Sequence, residues 1–287
     1  MKVCLDGNIV DEQDAHVSVF DRGLLFADGL YDTLRTYNGR LFALKDHLGR
    51  LAAGCEALQI PITTAESWWR PRIEELIRAN SLQDADARLR ITVTRGPGTD
   101  IKQTQCAQPM IAIFAQPIFQ APIDQRRATG TRAIIFSHRR VPGVRIHQIK
   151  TLSLAHTVMA QLECAASGAD DAFFINMRDE LCEAMTSNIF LLNGNALITP
   201  STDAPCLPGV TRKHLIEAAV SRGMEVQSRP VPVDELFKAA EVFTCASVSE
   251  IQPIISVDGH PIGNGTPGPA SRDIQQWWRN YAMGLAI

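Results

Sequence analysis

Lys150 and Glu183 are the residues of this sequence whose types and surroundings most favour chemistry. Lys150 is flanked by apolar residues such as Ile149 and Leu152. Burial among apolar neighbours penalises the charged form of an amine, and a neutral amine is what forms a Schiff base with an aldehyde cofactor. A carboxylate such as Glu183 can keep the nitrogen of a heteroaromatic ring protonated. Their spacing alone is also compatible with two solvated surface charges.

A second candidate is the sequence LPGVTR at 207–212, which opens a predicted helix. The free N–H groups and the positive dipole end of a helix start form an anion site. Gly209 permits close approach of a phosphate, and the Thr211 hydroxyl is a further donor. The hydroxyls of Ser247 and Ser249, which follow a predicted strand, could face the same phosphate. A plain helix start and a polar turn are the competing interpretations.

Arg50 lies off the apolar face of a helix predicted at 44–58. One interpretation is a solvated arginine that pairs with Asp46 at i,i+4. The other is a fixed phosphate partner, because a guanidinium matches phosphate geometry. Helical periodicity is compatible with both interpretations.

Composition and charge exclude several classes of protein. The chain has 287 residues and a net charge of −3, which provides no basic field for nucleic acid or for a membrane surface. The sequence has no run of the roughly 18 apolar residues that a membrane span needs. Its seven cysteines include no C-x-x-C pair, which argues against a disulfide framework and a metal site and favours the reducing cytoplasm.

The order of predicted elements indicates an α+β fold in two domains. Hairpin signals such as Asn38-Gly39 alternate irregularly with amphipathic helices. Prolines followed by polar residues predict an interdomain linker at 119–123. We therefore expect a smaller N-terminal domain at 1–118 and a larger C-terminal domain at 124–287, which would carry Lys150.

The motifs taken together resemble the class IV aminotransferases, which are pyridoxal phosphate (PLP) enzymes of fold type IV. The resemblance extends almost end to end along the chain. It rests on short sequences in a shared order: DRG at 21–23, FADGLY at 26–31, DHLGRL at 46–51, RGPG at 95–98, KTL at 150–152, EAMTSNIF at 183–190 and LPGVTR at 207–212. Each is weak by itself, and their common order and spacing make the signal strong.

The resemblance implies a role for each matching residue. Lys150 resembles the Schiff-base lysine and proton shuttle, and Glu183 resembles the partner of the pyridine nitrogen. It implies further cofactor contacts at Arg50, Gly209, Val210, Thr211, Ser247 and Val248. Tyr31 lies where the family has a residue that reaches the substrate pocket. The resemblance also implies a fold like that of D-amino acid aminotransferase, and a homodimer with its active site near the subunit interface.

The substrate is less clearly indicated. Branched-chain enzymes usually carry an Asn-Tyr pair at the positions that Ser153 and Leu154 occupy here, and the leucine is closer to D-amino acid enzymes. Those enzymes bind the substrate carboxylate with an arginine and a histidine in the loop after the Arg-Gly pair. That loop contains Asp100, which would repel a carboxylate. Lys102 or Arg35 is therefore expected to bind it.

We expect a transaminase that uses a D-amino acid, such as D-alanine or D-glutamate, with 2-oxoglutarate or pyruvate as acceptor. The alternatives are a branched-chain L-amino acid aminotransferase, an (R)-amine transaminase and an aminodeoxychorismate lyase, whose members share a threonine like Thr33. A non-catalytic binding protein on the same scaffold is a remote alternative.

Overall fold

The computed structural model of the protein describes residues 1–105 and 108–286, so Cys106 lies outside the described residues. The chain forms two compact units. Unit 1 comprises Met1–Ile118, Ile149–Leu154 and the C-terminal residues from Ala282 onward. Unit 2 comprises Phe119–Gln148 and Ala155–Tyr281. Both units combine helices with a sheet, as the expected α+β class requires.

Unit 1 contains an antiparallel sheet. Its strands are β1 (Lys2–Leu5), β2 (Asn8–Asp11), β3 (Gly29–Tyr37), β4 (Arg40–Leu41), β5 (Ala87–Thr94) and β6 (Met110–Pro117). They lie in the order β2-β1-β6-β5-β3-β4. Asn38 and Gly39 join β3 to β4 with φ of 48° and 78°, the left-handed pair that the predicted type I′ turn requires.

Unit 1 also contains helices, and the two longer ones pack against this sheet. The helices are α1 (Arg22–Phe26), α2 (Leu44–Ala57) and α3 (Glu66–Ala79). α2 buries Leu44, Leu48, Leu51 and Cys55, the stripe that its helical spacing predicts. α1 is too short to show a helical period, and the Asp21 carboxylate caps it by accepting a hydrogen bond from the Gly23 N–H.

The segment Ile149–Leu154 belongs to unit 1, whereas the sequence predicts it within the C-terminal domain. It pairs with the free edge of β3. The Tyr31 N–H donates to the Lys150 carbonyl at 2.9 Å, and the Leu152 N–H donates to the Gly29 carbonyl at 3.0 Å. Backbone pairing of this kind has no signature in a single stretch of sequence, because the partner strand lies far away along the chain.

Unit 2 contains a mixed sheet. Its strands are β7 (Thr131–Ile135), β8 (Asp171–Ile175), β9 (Leu181–Ala184), β10 (Asn188–Asn193), β11 (Ala196–Pro200), β12 (Glu225–Arg229), β13 (Glu241–Ala246), β14 (Glu250–Val257) and β15 (His260–Pro261). The order is β12-β11-β10-β13-β14-β7-β8-β9, and β15 pairs with β14. β7 runs parallel to β8 and to β14, and β11 runs parallel to β12.

The helices of unit 2 are α4 (Gln120–Thr129), α5 (Ala155–Ser167), α6 (Val210–Ser221), α7 (Val233–Leu236) and α8 (Pro269–Leu285), whose last turn lies in unit 1. α4 occupies most of the linker that the sequence predicts at 119–123. Pro122 lies in the first turn of α4, where its missing N–H costs no helical hydrogen bond. Within the described residues, no helix is long and apolar enough to cross a membrane.

Candidate active site

Lys150 and Arg90 each lie against the Tyr31 ring in unit 1. The Lys150 Nζ is 4.5 Å from the centre of the Tyr31 ring, and the Arg90 Cζ is 3.9 Å from it. The register of β3 with β5 pairs Tyr31 with Thr92 and Thr33 with Arg90, so these side chains share one face of the sheet. An amine, a guanidinium and a phenol ring therefore meet on that face.

Arg90 is the cation that sequence reasoning missed. Its guanidinium Nε donates to the Thr92 hydroxyl at 3.3 Å, and no carboxylate within 1–105 and 108–286 pairs with it. Burial lowers the pKa of Arg90 from its usual value. Such a group can bind an external carboxylate in the bidentate manner of arginine. The sequence feature that indicates Arg90 is the alternation of apolar and polar residues along β5, which turns Arg90 away from the buried Leu89 and Ile91.

Arg50 is held by a carboxylate from the opposite face of β3. Its Nε and Nη2 each donate to one oxygen of Asp32 at 2.8 Å. The His47 Nδ1 lies 2.7 Å from an Asp32 oxygen. Although burial acts in the other direction, Arg50 and His47 lower the pKa of Asp32 well below its usual range. Arg50 thus pairs with Asp32, and among residues 1–105 and 108–286 no acceptor binds its Nη1.

The two cations expected to bind the substrate carboxylate differ in their accessibility. Arg35 has no exposed surface, its Nη2 donates to Asp86 at 2.6 Å, and its guanidinium stacks on the Tyr37 ring. Arg35 therefore stabilises the sheet, and it is too deeply buried to bind a substrate carboxylate as the sequence predicts. Lys102 is exposed in the loop after β5, where its N–H donates to the Asp100 carboxylate at 2.9 Å.

Glu183 lies on β9 in unit 2 with donors on both carboxylate oxygens. Arg140 Nη1 donates to Oε1 at 2.6 Å, and the Leu207 N–H donates to Oε2 at 3.0 Å. The Arg140 guanidinium stacks 4.0 Å from the centre of the Phe174 ring, and Phe174 is the cross-strand neighbour of Glu183. These two donors, one of them charged, fix the orientation of the carboxylate.

The start of α6 forms an open cradle. Its N-cap residue is Gly209, and no side chain caps the first N–H groups of the helix. The Thr211 and Ser247 hydroxyls lie 3.4 Å apart, which brings two side-chain donors together at this helix end. A Cβ at position 209 would lie 1.9 Å from the Asn188 Oδ1. A larger residue at this position would have to displace the Asn188 side chain or the first turn of α6.

The substitution Gly209→Ala is expected to weaken PLP binding. The added methyl group collides with Asn188 and must displace it or the first turn of α6, and overpacking of this kind costs about 1–3 kcal/mol. We expect the Kd for PLP to rise by about tenfold in titrations of the apoprotein followed by absorbance. Gly284→Ala, where an added Cβ meets nothing within 4 Å, is the control. An unchanged Kd in Gly209→Ala would contradict a phosphate cradle here.

Each unit, taken by itself, has groups that suit one part of PLP. Unit 2 provides a helix start with unpaired N–H groups and two hydroxyls, which suit a phosphate, and an oriented carboxylate, which suits a pyridine nitrogen. Unit 1 provides the amine of Lys150. Among residues 1–105 and 108–286, no cluster of His, Cys, Asp and Glu side chains could hold a metal ion.

Comparison with known proteins agrees with this geometry. Residues 29–257 match the family described as Amino-transferase class IV. A putative branched-chain-amino-acid aminotransferase of Methanocaldococcus jannaschii is 34% identical over 289 residues, which cover 100% of this chain and 98% of the relative. The D-alanine aminotransferase of Bacillus licheniformis is 31% identical over 285 residues, which cover 99% and 98% of the two chains.

A solved structure extends the likeness to the fold. A hypothetical aminotransferase from Mycobacterium tuberculosis in its PLP-bound form superposes with a TM-score of 0.87 at 22% identity, covering 99% of each chain. The fold and the donor groups together define a PLP enzyme of fold type IV. The chain belongs to the class IV aminotransferases and is a PLP-dependent transferase of amino groups.

Proposed function

We propose that the protein transfers the amino group of a D-amino acid, such as D-alanine or D-glutamate, to 2-oxoglutarate or pyruvate. The observation that carries this proposal is the Arg90 guanidinium, which lies against the same Tyr31 ring as Lys150. Without a carboxylate partner in the described chain, it supports a substrate that bears a carboxylate next to its amine. It argues against a simple (R)-amine as the physiological donor.

We assign the chemical steps to residues as follows. PLP, when bound, supplies an aldehyde that accepts an amino group and a ring that accommodates negative charge. Lys150 Nζ provides the amine for the aldehyde and moves the proton of the substrate carbon, first as base and then as acid. Glu183 holds a proton at the pyridine nitrogen. Thr211, Ser247 and the first N–H groups of α6 bind the phosphate.

Further residues complete the cofactor and substrate contacts. The free Nη1 of Arg50 supports a role as phosphate ligand, although Asp32 neutralises much of its charge. Val210 and Val248 follow Gly209 and Ser247, and their backbone N–H groups would complete the phosphate site. Tyr31 borders the substrate, and Arg90 and Lys102 bind its carboxylate.

The handedness of the donor rests on the sequence after Lys150. Ser153 and Leu154 differ from the Asn-Tyr pair of branched-chain enzymes, and a D-alanine aminotransferase is 31% identical to the chain. The second candidate is a branched-chain L-amino acid aminotransferase. It is favoured by the relative from Methanocaldococcus jannaschii, which is 34% identical and carries that description.

Single-turnover reactions with five different donors test both candidate functions. The near-visible absorbance of the PLP-loaded protein is followed with D-alanine, D-glutamate, L-leucine, (R)-1-phenylethylamine and aminodeoxychorismate in turn. We expect the D-amino acids to react fastest. Reaction with L-leucine alone would replace the D-amino acid proposal with the branched-chain one. Pyruvate and 4-aminobenzoate formed from aminodeoxychorismate would indicate the lyase instead.

Arg90→Gln is expected to raise the KM for the preferred amino acid by about 10- to 100-fold, because a charge-assisted pair with a carboxylate contributes about 1.5–3 kcal/mol. The rate with (R)-1-phenylethylamine, which has no carboxylate, should change little. Arg88→Gln, two residues earlier on β5 and hydrogen-bonded to Gln116, is the matched control. Equal losses for acid and amine donors would mean that Arg90 acts on the fold and not on the carboxylate.

We also propose that the protein is a homodimer of the reducing cytoplasm with its active site near the subunit interface. A run of apolar side chains on unit 1 is exposed, which supports burial against a second copy: Val17, Val19, Phe20, Leu24 and Leu25. The described cysteines are free thiols, which supports the compartment. Sedimentation velocity of the PLP-loaded protein measures the oligomeric state.

A further inference from the structure

Asp28 binds two arginines in unit 1. Its Oδ2 accepts from Arg22 Nε at 2.8 Å and from Arg95 Nε at 2.7 Å, and its Oδ1 accepts from Arg95 Nη2 at 3.1 Å. The side chains of Arg22 and Arg95 are only 3% and 6% exposed. Two guanidinium groups with so little exposure need a shared carboxylate, because an unpaired charge would be costly to bury.

Further donors of these arginines reach the loop after β5, and Arg95 also donates to the carbonyls of Leu58 at 2.7 Å and Gln59 at 3.3 Å. Arg22 Nη1 and Nη2 donate to the carbonyls of Asp100 and Ile101, the second at 3.4 Å. Arg95 Nη1 donates to the Thr104 carbonyl at 2.9 Å. One carboxylate thus holds two cations, and the cations hold both halves of the loop.

The loop 98–104 depends on such external contacts. It has no regular secondary structure, and its own hydrogen bonds are local ones, from the Lys102 and Gln103 N–H groups to Asp100. The Gly98 N–H donates to the Phe20 carbonyl at 2.9 Å and ties the loop entrance to unit 1. Hydrogen bonds from charged donors are about twice as strong as neutral ones, so the arginines can select one loop conformation.

We propose that Asp28 is a positioning residue that fixes the loop 98–104 through Arg22 and Arg95, and so sets the affinity for substrates with a carboxylate. This inference rests on the proposed function, because it takes Lys102 in that loop as a carboxylate ligand. Asp28, Arg22 and Arg95 are not among the residues assigned to the chemical steps. They keep the carboxylate-binding loop in a geometry formed before the substrate arrives, which lowers the cost of binding.

A purely structural role for Asp28 makes different predictions, and the chain offers a matched comparison. Asp86 pairs with the buried Arg35 in the same unit, and its side chain is 14% exposed, against 13% for Asp28. Asp86 also accepts a hydrogen bond from the Asn38 N–H at 2.9 Å. Asn38 lies in the β3–β4 turn and not in the loop 98–104. A general loss of stability should therefore be similar in Asp28→Asn and Asp86→Asn, whereas an effect on the loop should separate them.

The first measurement is hydrogen exchange of the PLP-loaded protein in the absence of substrate. In Asp28→Asn we expect exchange in peptides covering 98–104 to accelerate by about tenfold, because the loop opens locally. Asp86→Asn should leave those peptides unchanged. Arg22→Gln, which keeps the pair of Asp28 with Arg95, should accelerate exchange around Asp100 and serves if Asp28→Asn fails to fold.

The second measurement separates substrates by their charge. In Asp28→Asn we expect the KM for the preferred amino acid to rise by about tenfold, since misplaced ligands lose binding, with a smaller change in kcat. Turnover of (R)-1-phenylethylamine and the Kd for PLP should be unchanged. The same changes in Asp86→Asn would overturn the proposal. Faster hydrogen exchange of the loop in Asp28→Asn with an unchanged KM would also overturn it.

The experiments distinguish a wrong proposed function from a wrong positioning role of Asp28. If wild-type protein reacts with no carboxylate-bearing donor, the proposed function is wrong, and the exchange rates still report whether Asp28 holds the loop. If wild-type protein reacts as proposed but loop exchange is the same in wild type, Asp28→Asn and Arg22→Gln, the loop is held by other contacts and the positioning role is wrong.

Discussion

Lys150→Ala is expected to abolish amino transfer, with a fall in rate of at least about 10³-fold, because one amine serves as both nucleophile and proton carrier. The near-visible absorbance of the loaded protein should shift, since PLP can no longer bond to the chain. The Kd for PLP should rise, while the phosphate contacts of unit 2 keep some affinity. Stopped-flow absorbance with the preferred donor measures the rate.

The control for this variant is Lys45→Ala, an exposed lysine on α2 in the same unit. It should retain wild-type rates and absorbance. Addition of a small primary amine such as methylamine to Lys150→Ala should restore part of the proton transfer, because the pocket keeps its other groups. Near-normal turnover in Lys150→Ala without added amine would refute the assignment of this lysine.

Loss of Glu183 is expected to affect both activity and stability. Glu183→Ala leaves Arg140 with 9% exposure and no carboxylate, and breaking a buried pair in this way costs about 3–5 kcal/mol of unfolding free energy. Glu183→Gln keeps the shape and one acceptor, so its loss of stability should be smaller. Both variants should lose about 10²-fold or more in amino transfer, since neither can hold a proton on the pyridine nitrogen.

Denaturant unfolding of the apoprotein measures the stability effect without the contribution of bound PLP. The matched control is Glu235→Ala, which breaks the Arg229–Glu235 pair of unit 2. These side chains are 35% and 29% exposed, so the loss should stay within about 1 kcal/mol. If Glu183→Ala were as stable as Glu235→Ala, Arg140 would have another way to satisfy its charge. If Glu183→Gln kept full activity, the pyridine nitrogen would have a different partner.

The parts of the candidate site that lie in continuous motifs were accessible from the sequence. Lys150, Glu183 and the 207–212 segment are each recognisable within a few residues, because a helix start or a lysine among apolar neighbours is a local property. The long amphipathic helix at 44–58 and the Asn38-Gly39 turn were predictable for the same reason, since periodicity and turn chemistry act over short distances.

The parts that depend on strand register were not accessible. Arg90 lies beside Tyr31 only because β5 pairs with β3 in one particular register. Asp32 meets Arg50 from a different element of unit 1, so this pair is not visible in the i,i+4 spacing within α2. Arg35 was predicted to bind the substrate carboxylate because no local sequence pattern reveals that Asp86 lies next to it.

The Ile149–Leu154 segment has a consequence for how relatives of this protein can exchange parts. The chain passes between the units after Ile118, after Gln148, after Leu154 and after Tyr281, so neither unit corresponds to one continuous stretch of gene. A chimera that exchanges only residues 1–118 brings a new β3 against the old segment that carries Lys150. Recombination between family members is therefore expected to succeed when β3 and the Ile149–Leu154 segment come from the same parent. When they come from different parents, we expect folded enzymes in which Lys150 is misplaced.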